Sequence, residues 1–162
     1  MNGKYLLLGT NLGNKLENLS TALKLISEKA GIILARSSIY RTSSWGMTGQ
    51  PDYLNQVVQV ETNLSPHDLM HELLSIETGM GRIRNKKWDN RLIDIDILFY
   101  DDRIIDESGL QLPHPQIPDR RFTLAPLAEL AGDQVHPVNR LSIKELLGRT
   151  SDKSRVEKLS VV

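Results

Sequence analysis

Leu92-Ile93-Asp94-Ile95-Asp96-Ile97-Leu98-Phe99-Tyr100 is the most apolar run in the chain, yet it carries two acids one residue apart. Its β-branched and aromatic residues predict a buried strand. Side chains alternate along a strand, so Asp94 and Asp96 share one face with Leu92 and Leu98. Two carboxylates that close repel, and an ionised carboxylate is seldom buried without a partner. On its own an Asp-x-Asp tripeptide is common, and arginines or solvent at a sheet edge would answer it.

The flanking sequence favours something more specific. Arg82, Arg84, Lys86, Lys87 and Arg91 form a basic cluster just upstream, interrupted by Asp89 alone among acids. A cationic loop feeding a paired-carboxylate strand suits a polyphosphate with its metal. Hard oxygen ligands from one or two carboxylates, completed by phosphate and water, describe a magnesium–nucleotide site.

Around that strand the pattern predicts an ordered set of elements. Lys4 to Leu8 reads as a buried strand entering a two-glycine turn, Gly9-Thr10-Asn11-Leu12-Gly13. Leu19, Ala22, Leu23, Leu25, Ile26 and Ala30 recur at helical spacing, predicting a helix over about 15–29 that Gly31 ends. A second strand starts at Ile32 and reaches about Tyr40; turn formers fill 42–51; a third strand runs from Tyr53 to Glu61. Ser65-Pro66-His67-Asp68 is a helix start, with Leu69, Leu73, Ile76 and Met80 as its stripe and Gly79-Met80-Gly81 as its exit. After the aspartate strand, Asp101-Asp102 predicts a turn and Arg103-Ile104-Ile105 the start of a hairpin partner. Two short helices are expected near 123–130 and 142–147. The order β-α-β-β-α-β is that of the ferredoxin-like α+β unit: an antiparallel sheet, helices on one face, and here a C-terminal extension.

Composition narrows the function. The 162 residues predict one domain, 1–162, with a full core. Lys and Arg number 20 and Asp and Glu 20, which argues against a nucleic-acid or membrane-surface binder. No cysteine is present, so disulfides and thiolate metal sites are excluded. The apolar stretch Tyr5 to Gly9 is too short for a signal peptide or a membrane span, and a cytoplasmic location is the expectation.

Four segments together carry a resemblance: Gly9-Thr10-Asn11-Leu12, Tyr40-Arg41-Thr42, Gln50-Pro51-Asp52-Tyr53-Leu54-Asn55 and Arg91-Leu92-Ile93-Asp94-Ile95-Asp96. Glu77, Gly81-Arg82, Leu112-Pro113-His114 and Arg120-Arg121-Phe122 follow in matching order. From about Gly9 to Leu130 the chain resembles the 6-hydroxymethyl-7,8-dihydropterin pyrophosphokinases of folate biosynthesis. The resemblance implies transfer of pyrophosphate from ATP to the hydroxymethyl group of a reduced pterin, with AMP as the other product. It implies two Mg2+ ions on Asp94 and Asp96, with Arg82 and Arg91 clamping the triphosphate. On the nucleotide side it implies Glu77, Arg84, Trp88, His114 and Arg120, Glu77 either as an adenosine-side acid or as a structural pair. For the pterin it implies Tyr53 and Phe122 as stacking walls, Asn55 and Thr42 as hydrogen-bonding groups, and the Ser43–Trp45 loop, with Ser43 and Trp45, completing the pocket. Trp88 is expected to close over substrate or to anchor its loop. A monomer is expected, acting on small molecules alone.

The chain departs from the family pattern in places. Asp89-Asn90-Arg91 stands where Gly-Pro-Arg is usual, Ser43-Ser44 replaces a pair of prolines, and Gly109 lies near a position where some members carry arginine. Other readings are a phosphotransferase or nucleotidyltransferase for another acceptor, which would need no Tyr53, Asn55 and Phe122 pocket, and an RNA-binding module. The acids on the central strand and the zero net charge weigh against the last.

Overall fold

A computed structural model describes residues 2–42, 52–81 and 92–160. Its elements are β1 (Lys4–Thr10), α1 (Lys15–Lys29), β2 (Ile32–Arg36), β3 (Tyr40–Thr42), β4 (Tyr53–Glu61), α2 (Pro66–Gly79) and β5 (Asp94–Tyr100). There follow β6 (Ile105–Glu107), β7 (Leu110–Leu112), a 3-10 turn at Ile117–Asp119, α3 (Arg121–Ala131), α4 (Ile143–Arg149) and β8 (Val156–Lys158). The helix starts follow local chemistry. Asn14 accepts from the Glu17 amide at 3.1 Å and Ser65 from the Asp68 amide at 3.1 Å. Ser142 and Glu145 form a reciprocal capping box at the start of α4.

The main sheet runs β5-β1-β4-β3-β8, with β2 also paired to β4, and every pairing is antiparallel. The second strand expected over 32–40 is in fact two. At the break the Ser37 hydroxyl accepts from the Val57 amide at 3.0 Å and donates to the Ser38 carbonyl at 2.7 Å. A side chain thus takes a ladder position that the backbone would otherwise fill. Gly31 also acts differently from a left-handed helix cap: a Cβ there would lie 2.4 Å from the Glu61 carbonyl oxygen, so it is close approach that demands glycine.

The sheet is covered on both faces, not on one as expected. Leu6 and Leu8 of β1 pack with Leu19, Ala22 and Ile26 of α1 and Leu69, Leu73 and Ile76 of α2. Tyr5 and Leu7 face the other way, against Leu124 and Leu127 of α3 and Ile143 and Leu146 of α4. The C-terminal extension therefore supplies the second layer. A further correction concerns the hairpin after β5: Asp101 makes the turn at φ 54°, but β6 pairs with β7 and not back onto β5. No helix among the described residues is long and apolar enough to cross a membrane.

Candidate functional site

Antiparallel register places Asp94 of β5 opposite Gly9 of β1, Gly9 opposite Asn55 of β4, and Asn55 opposite Tyr40 of β3. These four residues form one row across the sheet. The neighbouring rows hold Asp96 opposite Leu7, and Thr42 opposite Tyr53. Alternation puts all of them on the face that carries Leu7 and Val57, the side of α3 and α4. One face of one sheet thus joins a pair of carboxylates to an amide, a hydroxyl and two phenols.

Backbone contacts fix the acidic end. β5 is the edge of the sheet, so alternate amides have no strand to bond. The Ile95 amide, between the two aspartates, donates to Glu77 Oε2 of α2 at 2.7 Å. Glu77 is only 1% exposed, and its carboxylate reaches backbone rather than solvent. Two residues on, the register slips so that Leu98 is skipped between Ile97 and Phe99. The carbonyl of that bulged residue accepts from the His114 amide at 3.0 Å, which brings the loop after β7 to the carboxylates.

The side chain of His114 then stands with Nε2 3.9 Å from Asp96 Oδ2. Its Nδ1 accepts from the Gln116 amide at 3.2 Å, so the neutral ring carries its proton on Nε2, facing the acids. Burial pushes the imidazole below its ordinary pKa, Arg120 pushes the same way, and Asp94 opposes them. Arg120 in turn lies over the Phe122 ring, 5.4 Å from its centroid. Asp94, Asp96, His114, Arg120 and Phe122 are thereby gathered from β5, the β7–α3 connection and the start of α3.

The other end of the row is polar and under-satisfied. Asn55 is 4% exposed; its Nδ2 points at the Leu8 carbonyl, 3.5 Å away, and its Oδ1 has no hydrogen-bond partner among the described residues. Thr42, 3% exposed, has an Oγ1 in the same condition. Buried polar atoms left unpaired cost free energy, and at a binding site they mark where a ligand bonds. Tyr53, only partly buried, stands beside them at the start of β4.

Tyr40 closes the row through contacts that sequence reading did not assign. Its hydroxyl donates to Glu129 Oε2 of α3 at 3.1 Å, and burial together with Glu129 pushes the phenol up to about 12. Glu129 also accepts from the Ser38 amide and hydroxyl at 2.9 and 2.7 Å, with Lys158 at 3.5 Å. Burial opposes its ionisation, but the Ser38, Tyr40 and Lys158 contacts outweigh that and hold the carboxyl below its usual range. The cluster ties α3 to β3 and β8. No local signal in the sequence links residues 89 positions apart. Of the expected site residues, Ser43, Trp45, Arg82, Arg84, Trp88 and Arg91 lie outside the described residues, as do Gly-Pro replacements Asp89 and Asn90.

Residues 5–132 match the family described as 7,8-dihydro-6-hydroxymethylpterin-pyrophosphokinase (HPPK). The chain is 40% identical over 160 residues to a 2-amino-4-hydroxy-6-hydroxymethyldihydropteridine pyrophosphokinase of Methylorubrum extorquens, covering 98% of this chain and 99% of that one. A protein of the same description from Haemophilus influenzae is 39% identical, covering 94% and 96%. A crystal structure of Plasmodium falciparum HPPK-DHPS is similar with a TM-score of 0.75 at 19% identity, covering 90% of this chain and 44% of that longer one. The structural likeness concerns the fold.

Proposed function

The chain belongs to the 7,8-dihydro-6-hydroxymethylpterin-pyrophosphokinase family, and from that premise we propose that the polar row of the sheet is its reaction floor. The activity is transfer of pyrophosphate from ATP to the hydroxymethyl group of 6-hydroxymethyl-7,8-dihydropterin, giving AMP and the pterin diphosphate in folate biosynthesis. The pterin oxygen bonds to the β-phosphorus, the bond from that phosphorus to the α,β-bridging oxygen breaks, and the hydroxyl proton is lost. Such transfers depend on positioning and charge stabilisation more than on covalent help from protein.

The observation that carries the placement is the single row from Asp94 through Gly9 to Asn55. Two strand spacings separate its ends, about 10 Å, the length of a bicyclic heterocycle with its hydroxymethyl arm. A pterin whose donor edge meets Asn55 Oδ1 and Thr42 Oγ1 directs that arm toward the carboxylates. Tyr53 and Phe122 supply its stacking walls.

Asp94 and Asp96 hold Mg2+ in this reading. The donor set fits: two carboxylates on one face, with no group of three potential ligands among the described residues, leave most of the coordination to phosphate and water. Bound there, Mg2+ neutralises phosphate charge and lowers the pKa of an oxygen it coordinates. Glu77 keeps the two aspartates in place through the Ile95 amide. His114 offers its Nε2 proton to a phosphate oxygen while remaining neutral, and Arg120 adds a fixed positive charge. Arg82 and Arg91 would clamp the triphosphate, and Arg84 and Trp88 would contribute on the nucleotide side, as the family resemblance implies. Ser43 and Trp45 finish the pterin pocket.

The strand order supports a ferredoxin-like core: with β2 and β3 taken as one interrupted strand, β5-β1-β4-β3 is the order of the split βαβ unit. A cytoplasmic enzyme working as a monomer on small molecules is part of the same proposal. The test is a product assay with ATP and the reduced pterin across a Mg2+ titration. AMP appearing in step with pterin diphosphate, and only with the metal, is expected. ADP as the product, or turnover undiminished by chelator, would overturn the reading.

A further inference from the structure

Gly9 stands between the two ends of the row, and a side chain there would strike one atom. A Cβ built on Gly9 lies 2.8 Å from Asn55 Nδ2, and no other heavy atom outside its chain neighbours comes within 4 Å among the described residues. Asn55 thus reaches across the bare Cα of Gly9 to the Leu8 carbonyl. Gly9 is not held at a positive φ, unlike Gly13 at 68°, so backbone freedom is not what glycine supplies here.

We infer that Gly9 is a positioning residue for the pterin site, acting by leaving room for the Asn55 amide to reach over β1. The Leu8 carbonyl can only accept, so it selects the Asn55 rotamer with nitrogen inward. Oδ1 is then the other end of the amide, a buried acceptor with no partner of its own among the described residues. A ligand edge that presents donors satisfies it, such as the amino and ring N–H groups of an aminopyrimidinone. A methyl at position 9 would swing the amide away at little cost to the fold, because the atom it meets ends a rotatable side chain. The acceptor would then be lost from the pocket. Asp94 faces Gly9 from the other side but has no atom within 4 Å of that methyl, so the metal end is spared.

This inference rests on the pterin placement proposed above, and the experiment separates the two. Wild type, Gly9→Ala, Asn55→Ala and the double variant are titrated with 6-hydroxymethylpterin and, separately, with a non-hydrolysable MgATP analogue, and each is melted. Gly9→Ala is expected to weaken pterin binding roughly tenfold, the scale of one lost hydrogen bond. Analogue affinity should stay within about twofold and Tm within a few degrees. In the Asn55→Ala background, Gly9→Ala should add almost nothing. Wild-type pterin affinity in Gly9→Ala, an equal loss in both backgrounds, or an equal loss of analogue binding would overturn the role given to Gly9. If Gly9→Ala fails to fold and the double variant also fails, glycine serves the backbone and the inference is wrong. If Asn55→Ala itself binds pterin normally, the pocket placement fails instead.

Discussion

The two faces of β1 use neighbouring residues for opposite ends. Leu6 and Leu8 point into a continuous apolar layer under α1 and α2, where both are fully buried. Tyr5 and Leu7 begin a similar layer on the other face under α3 and α4, but one step further along stands Gly9. From there the sheet carries Asp94, Asn55 and Tyr40 in place of aliphatic side chains. On the first face burial stabilises the fold. On the second, apolar packing stops short of the strand ends, where Asn55 Oδ1 and Thr42 Oγ1 stand without partners among the described residues; the first face has one such atom, Gln56 Oε1, opposite Leu8. The first face holds the second in register, and the proposed reaction floor lies on the second.

That contrast can be broken or sharpened by substitution, ranked by expected change in folding free energy. Leu6→Ala, deep in the first layer, should cost about 2–5 kcal/mol by chemical denaturation while leaving turnover per folded molecule unchanged. A fall in turnover greater than the fall in folded fraction would show that the faces are not separable. Glu129→Gln, at the join of α3 with β3, should cost about 1–2 kcal/mol, since several donors converge on a carboxylate that is 27% exposed. Because Glu129 titrates below its ordinary 4.5 when folded, its contribution is present above that pH and is lost as pH falls through the folded value. The wild-type advantage over Glu129→Gln should accordingly disappear in acid, and an advantage constant down to pH 3 would contradict the assignment.

His136 gives a smaller effect of the same sign for a different reason. Burial lowers its pKa below 6.5; its Nδ1 accepts from the Val138 and Asn139 amides, and the ring packs edge-on to Phe99. The unfolded chain binds a proton there more readily, so stability should decline as pH falls through about 6.5, and NMR titration should find the ring more than half neutral at pH 6.5. A ring already protonated at that pH would refute it. Smallest of all, Ile32→Thr and Leu34→Thr on β2, whose side chains are 67% and 54% exposed, should change stability by no more than about 0.5 kcal/mol.

What the sequence made legible was local. Ser65 and Pro66 mark the start of α2, and the spacing of Leu19, Ala22, Leu23 and Ile26 marks the buried stripe of α1. Asp94 and Asp96 stand out because acids in an apolar strand need an external answer. The features that escaped depend on distant partners. β3 separates from β2 where Ser37 bonds Val57 and Ser38 bonds Glu129. β8 is three residues long and exists by pairing with β3. β6 turns to β7 because β1 already occupies the paired side of β5 and Glu77 bonds an amide on its edge. Gly9 was visible as part of a turn, but its contact with Asn55 follows from strand register, which no local pattern specifies.

The most direct measurement takes Asp96→Asn, nearly isosteric at the acidic end of the row, and determines turnover and Tm on the same preparation. In this account the fold does not depend on the charge of Asp96, so the prediction is a Tm within a few degrees of wild type, with turnover reduced at least about a thousandfold. A variant that melts far below wild type while its folded fraction still forms AMP and pterin diphosphate at the normal rate would make Asp96 part of the scaffold. It would contradict the division of labour between the two faces.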